Sequence, residues 1–234
     1  ILFMWISLEL FWNSWDEKNE RLNLFFQIIA IIFSLFAVTV KLSMLPILII
    51  PGLLLFKNLS NKRLWLATVL LVFFILLPWL GRFVILSGYI LYPFPAIDIF
   101  SFDWKVPLPR VQEIRDEIVA FARMPGEPIN YVLNLSFREW FKPWLVKLTL
   151  FRQVLVLGAL FSPLLFGLYY AFRVKVRKEL LGLYLFMYTG LIYWLLTAPA
   201  FRFGFGYIAL VLVLIVLMFL NIKFSVWAKP LGYA

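Results

Sequence analysis

The chain contains no cysteine and no histidine. Thiolate chemistry, the commonest general base and the commonest neutral metal ligand are therefore missing from it. Chemistry here rests on carboxylates, Lys, Arg or Tyr, and three places hold such residues in a distinctive setting. The first is Thr197-Ala198-Pro199-Ala200-Phe201-Arg202-Phe203-Gly204-Phe205-Gly206, where Arg202 stands among aromatic and small residues between two apolar runs. An arginine is permanently charged and offers a planar fork, which suits a lipid-linked phosphate or pyrophosphate. The alternative is a side chain snorkelling to the headgroups. The second is Gly88-Tyr89-Ile90-Leu91-Tyr92-Pro93-Phe94-Pro95, leading to Asp98 and to Asp103-Trp104-Lys105. Carboxylates and aromatic rings are what a sugar site uses, although two aspartates in a loop are also ordinary surface residues. The third is Lys41, inside or beside apolar sequence. It is either a functional residue, as intramembrane charges are by default, or the outer end of a broken span. There is no metal-ligand cluster, P-loop or glycine fingerprint, so neither a metal nor a nucleotide cofactor is expected.

The elements that position these residues are set by apolarity. Of 234 residues, 64% are hydrophobic and 15% charged, against roughly 45–50% and about 25% in soluble domains. The apolar residues fall in blocks close to the ~20 residues that a helix needs to cross the hydrocarbon. Lipid gives peptide groups no partners, and the runs lack the alternation of a barrel strand, so they must be helices. The expected fold is all-α: a polytopic transmembrane bundle of about seven membrane segments, with interfacial helices in one long outer loop. The segments are residues 1–12, 22–40, 44–56, 64–80, 146–170, 180–196 and 204–222. The third, with Pro46 and Pro51, is short for a crossing and reads as a tilted, broken or re-entrant piece. The opening Ile1-Leu2-Phe3-Met4 falls within an apolar run, as expected of a segment of a longer protein.

Net charge is +10, and its placement beside helix ends makes it a topology signal rather than a nucleic-acid footprint. Lys57, Lys62 and Arg63, the cluster at 173–178, and Lys223 with Lys229 share one side, which is expected to be cytoplasmic. Residues 81–147 take the other side with eight basic and seven acidic residues. The chain thus divides into N-terminal membrane segments (1–80), an extracytoplasmic loop (81–147) and C-terminal transmembrane helices (148–234). Within the loop, residues 110–124 space Val111, Ile114, Ile118 and Phe121 as one helical face. Ser136-Phe137-Arg138-Glu139 has the pattern of a capping box opening a second helix. Trp140, Phe141 and Trp144 are expected at headgroup depth.

The ordered set Gly88–Pro95, Asp103-Trp104-Lys105-Val106-Pro107, Ala122-Arg123-Met124-Pro125-Gly126, Phe137-Arg138-Glu139-Trp140-Phe141 and Ala198-Pro199 with Phe201-Arg202-Phe203-Gly204 resembles a family of large bacterial polytopic membrane proteins, notably of Bacteroidetes and spirochaetes. That family in turn is similar to the GT-C glycosyltransferases that use polyprenyl-phosphate sugars. The resemblance implies a membrane glycosyltransferase module in the bacterial inner membrane. Arg202 would be similar to the late arginine that meets the carrier phosphate, and the catalytic acid would lie outside this chain. Membrane lipids, polyprenyl phosphate and partner membrane proteins are the implied partners. The competing expectation is a non-enzymatic subunit or scaffold of an envelope complex. An ion-coupled transporter is disfavoured because Lys41 is the chief intramembrane charge.

Overall fold

The computed structural model describes residues 2–172 and 178–219, and these contain helices and no strand. The basic cluster at 173–177 and the tail beyond residue 219 lie outside the described residues. Helix α1 (Leu2–Asp16) and α2 (Glu20–Val40) form an antiparallel pair. Asn19 caps α2 by accepting from the backbone of Arg21 and Leu22. Ser7 Oγ donates to Ala30 O at 2.9 Å and meets Ser34 Oγ at 2.6 Å. Where the flanking surface is apolar, hydroxyl contacts of this kind and small side chains hold helices together.

At Lys41 the backbone is extended (φ −154°, ψ 115°), and the chain turns back as α3 (Leu42–Lys57). Pro46 removes a backbone donor, and the first part of α3, Leu42–Leu48, is wound as a 3₁₀ helix before Ile49–Lys57 becomes α-helical. A 3₁₀ helix rises more per residue, so these seven and nine residues reach roughly 27 Å, close to the ~30 Å core. Counting α-helical rise alone underestimates this piece. The ammonium of Lys57 lies 3.6 Å from the centroid of the Trp15 ring, which returns α3 to the end where α1 finished. Lys41 therefore sits at the apex of the α2–α3 hairpin and not midway through a span.

Helix α4 (Lys62–Ser87) continues past residue 80, where apolarity alone would end it, and carries a π-type turn at Val72–Leu76. No residue of its apolar window is buried within the protein; it meets α2 along one edge and leaves the rest of its apolar surface uncovered by the described residues. Gly88 ends it in the left-handed conformation (φ 78°), where a Cβ would strike the Lys105 side chain. The loop then holds α5 (Leu108–Arg123), α6 (Ile129–Asn134) and α7 (Phe137–Lys147). The expected capping box is present, with Ser136 N donating to Glu139 Oε2 at 2.7 Å. Trp140 and Trp144 do not face headgroups, however. They are 2% and 5% exposed, and the Trp144 ring packs 5.9 Å from that of Trp194. Aromatic rings have more area to bury against a neighbouring helix end than against an interface.

Helices α8 (Leu150–Leu160) and α9 (Ser162–Phe172) form an apolar pair bent by 46°, where Pro163 follows the break. Ser162 Oγ meets the Tyr184 hydroxyl at 2.9 Å and ties the bend to α10 (Lys178–Thr197). Helix α11 (Phe201–Phe219) closes the bundle against α8, α9 and α10. Among the described residues, four helices are long and apolar enough to cross a membrane, and five if the bent pair is one span. The chain is a multi-pass membrane protein.

Glu127, in the loop, and Ser60, between α3 and α4, are both exposed and lie at opposite ends of the bundle. Single cysteines placed there in this cysteine-free chain are expected to react with an impermeant thiol reagent from opposite faces of the membrane. Labelling of both from one face in intact spheroplasts would contradict the fold.

Candidate functional site

The turn from α10 to α11 is built around one indole. Thr197 Oγ1 donates to Tyr193 O at 2.7 Å, closing the last turn of α10. Ala198-Pro199-Ala200 then reverses the chain in three residues, and Trp194 Nε1 donates to Ala200 O at 2.9 Å. A Cβ on Gly204 would fall within the Trp194 ring, and one on Gly190 within the Tyr207 ring. Glycine at both positions lets α10 and α11 approach face to face. Gly204→Ala should lower stability by about 1–3 kcal/mol through overpacking against a fixed ring. Thermal unfolding in detergent reads this out, and an unchanged melting temperature would mean that the helices are not so close.

This turn places Arg202 and Phe203 in the first turn of α11. The phenyl ring of Phe203 carries a cation on each approach: Lys41 Nζ at 4.3 Å and Arg202 Cζ at 4.8 Å from its centroid. Lys41 arrives from the α2–α3 apex, 161 residues earlier in sequence (202 minus 41). Burial, and then the Arg202 charge, push the Lys41 ammonium below the usual lysine range. A cation at a helix N-terminus also opposes the macrodipole. Two like charges at a positive helix end repel each other, and an anion between them would offset that repulsion.

Phe203 divides two cavities. One, of about 410 Å³, is lined by Lys41, Ser43, Arg115 and Arg123, with Pro93, Phe94 and Tyr193 among its walls. No carboxylate lines it. Arg115 keeps its guanidinium on Asp116, at 2.6 and 2.8 Å. Arg123 lies over the Trp140 ring at 5.0 Å and makes no ion pair among the described residues. Burial pushes it below the usual arginine range. Arg123 Nε and Ser43 Oγ are buried without a hydrogen-bond partner, an unusual state for buried polar atoms that an occupant would relieve. The second cavity, of about 540 Å³, holds Arg202 with Glu117 and Glu127. Ile118 lines both, so part of the apolar face of α5 looks into this site.

Of the residues singled out by sequence, Lys41 and Arg202 are thus brought together. Asp98 and Asp103 are not part of this cluster. Asp98 pairs with Lys105, which also lies 4.7 Å from the Tyr89 ring centroid, and Asp103 is exposed. From the same stretch, Pro93 and Phe94 contribute a wall instead. Arg123 and Ser43 escaped notice as site residues. The signal for Arg123 was the Pro125-Gly126 stop, which makes it the last residue of an amphipathic helix. No group of His, Cys, Asp or Glu among the described residues could hold a metal ion.

Fold and site define a polytopic helical membrane protein with a cationic, aromatic-walled cavity at one end of its bundle. The chain belongs to the family defined by a domain of unknown function, DUF8201, which matches residues 1–209. No curated protein and no solved structure matches it.

Burial of Lys41 costs the fold stability. Its lowered pKa means that the protonated form is disfavoured by folding at every pH below that value, and the penalty fades only as pH rises through it. Lys41→Met should therefore raise the melting temperature of the ligand-free protein at neutral pH while weakening anion binding. A variant that loses stability would show that Lys41 holds the fold.

Proposed function

We propose that the protein is a GT-C-like glycosyltransferase module that holds the phosphate of a polyprenyl-linked sugar at the outer face of the bacterial inner membrane. The observation that carries this reading is the clustering of Lys41, Arg123 and Arg202 around Phe203, next to a cavity without a carboxylate, with two polar atoms left unpartnered. Cations held apart from counter-ions in a partly dry setting bind phosphate strongly. The bundle is taken to have seven membrane segments: α1, α2, α3, α4, the bent α8–α9 pair, α10 and α11. Lys57, Lys62 and Arg63 then face the cytoplasm, and the cavity faces out.

In this reading the acceptor oxygen bonds to the anomeric carbon as the bond from that carbon to the phosphate oxygen breaks. The polyprenyl phosphate leaves with the electron pair. Arg202 stabilises the charge that develops on the leaving oxygen. The carboxylate that removes the acceptor proton is not among the residues lining the carboxylate-free cavity. The apolar walls of Pro93, Phe94 and Phe203 suit the first isoprene units beside the phosphate.

Co-purified or added polyprenyl phosphate, measured against protein, tests the reading. Occupancy should fall in the order wild type, Arg202→Lys, Arg202→Ala, because lysine keeps the charge but loses the planar fork. Loss of one charged hydrogen-bonding partner corresponds to roughly tenfold or more in affinity. Equal occupancy in all three would make Arg202 a headgroup anchor and favour a non-enzymatic subunit of an envelope complex.

A further inference from the structure

The opposite end of the bundle carries a second polar cavity, of about 770 Å³, between the α1–α2 turn and the α3–α4 turn. Lys18, Arg21, Lys62 and Arg63 line it with Glu20 as the one acidic residue, so its wall carries a net charge of +3 (four minus one). None of the four cations makes an ion pair among the described residues. Such a cluster by itself is what the positive-inside rule produces. Two further features distinguish this one. Both α2 and α4 begin at the cavity, capped by the side chains of Asn19 and Asn61, so the positive ends of two helix dipoles add to the four charges.

The second feature lies at the cavity floor. Gln27 lines it about two turns into α2 and is 2% exposed. Its orientation is fixed by a chain of donors: Asn23 Nδ2 donates to Ser14 O at 2.8 Å and Glu17 O at 3.1 Å, which leaves Asn23 Oδ1 to accept from Gln27 Nε2 at 2.5 Å. Gln27 Oε1 is consequently the free end, and it is buried with no hydrogen-bond partner. A cationic rim above a lone acceptor is complementary to one kind of molecule. It needs an anionic phosphate to meet the rim and a hydroxyl on the carbon chain of the ester to donate to Oε1. We infer that this cavity is a binding site for a hydroxyl-bearing phosphate ester, separate from the site around Phe203. That chemistry occurs in a glycerol-type lipid headgroup and in a soluble sugar or glycerol phosphate.

Binding to the full chain in an uncharged detergent distinguishes these sources. The probes are dihexanoyl-phosphatidylglycerol, glycerol 3-phosphate and methyl phosphate, the last having a phosphate but no hydroxyl. Wild type should bind at least one hydroxylated probe several-fold more tightly than methyl phosphate. The tighter of the two identifies lipid or soluble ligand. Arg63→Ala, at an exposed position that leaves the fold intact, should weaken all binding about tenfold. Gln27→Met should abolish the preference for the hydroxyl and leave methyl phosphate as it was. Repeated in an Arg202→Ala background, which removes the phosphate contact proposed at the other end, the preference for the hydroxyl and its dependence on Arg63 should persist, so failure of the proposed glycosyltransferase reading leaves this result standing. The site is overturned if none of the probes binds, if Arg63→Ala binds as wild type does, or if wild type shows no preference for the hydroxyl. The wild-type series stands even if the Gln27 variant does not fold.

Discussion

The Trp194 indole does four things at once, and the loop end of the bundle depends on it. It lies against the backbone of Gly204, donates to Ala200 O, packs on Trp144 and sits within the main core at 1% exposure. The first two contacts fix how sharply α10 turns into α11. That turn decides where Arg202 and Phe203 stand, and hence where the cation from the α2–α3 apex can rest. The third contact joins the loop helices to the membrane bundle, so α7 and the α5 helix beside it are held as a roof over the same point. A ring this large is well suited to the task because it buries much area while its single N–H still finds a partner.

The electrostatics at the loop end of the bundle are arranged against local stability. Lys41 and Arg202 share the Phe203 ring, Arg202 opposes the dipole of its own helix, and Arg123 is half-buried over Trp140 with a donor unspent. Arg202 shares its cavity with Glu117 and Glu127, but no carboxylate lines the cavity of Lys41 and Arg123, although the loop has others: Asp98, Asp116 and Glu113 are instead paired with Lys105, Arg115 and Arg110. Cations left unpaired beside acids that are already engaged elsewhere keep the cavity positive. Local rules broken together at one place commonly mark a site, and here three are broken within one cluster around Phe203 and Trp140.

Most of the helical architecture was legible from apolar runs, and the start of α7 from its Ser136–Glu139 box, because both signals are local. The helix over 108–123 was likewise visible in its spacing. What eluded the sequence was set by contacts between distant segments. The burial of Trp140 and Trp144 depends on Trp194, some fifty residues on, and composition alone places such rings at a membrane interface. The meeting of Lys41 with Arg202 depends on α3 folding back through a 3₁₀ stretch, whose extra rise brings a seemingly short piece nearly across. Asp98 looked like a ligand because its partner, Lys105, is seven residues away through an irregular loop with no periodic signal. The full extent of α4 was hidden because Arg82 ends the apolar run well before the helix itself stops.

That last detail acts as a ruler. Between Arg63 and Arg82 the chain climbs about 28 Å, nearly the thickness of the hydrocarbon, so α4 can stand close to upright without hydrophobic mismatch. The remaining residues to Ser87 extend it by a further turn or so, roughly 7–8 Å, into the headgroup layer. Gly88 is therefore mounted on a post of fixed height, and Val106 N returns to Ser87 O at 3.0 Å at its top. The height at which the roof begins is thus set by the length of α4, while its place over the cations is set separately by the Trp144–Trp194 contact.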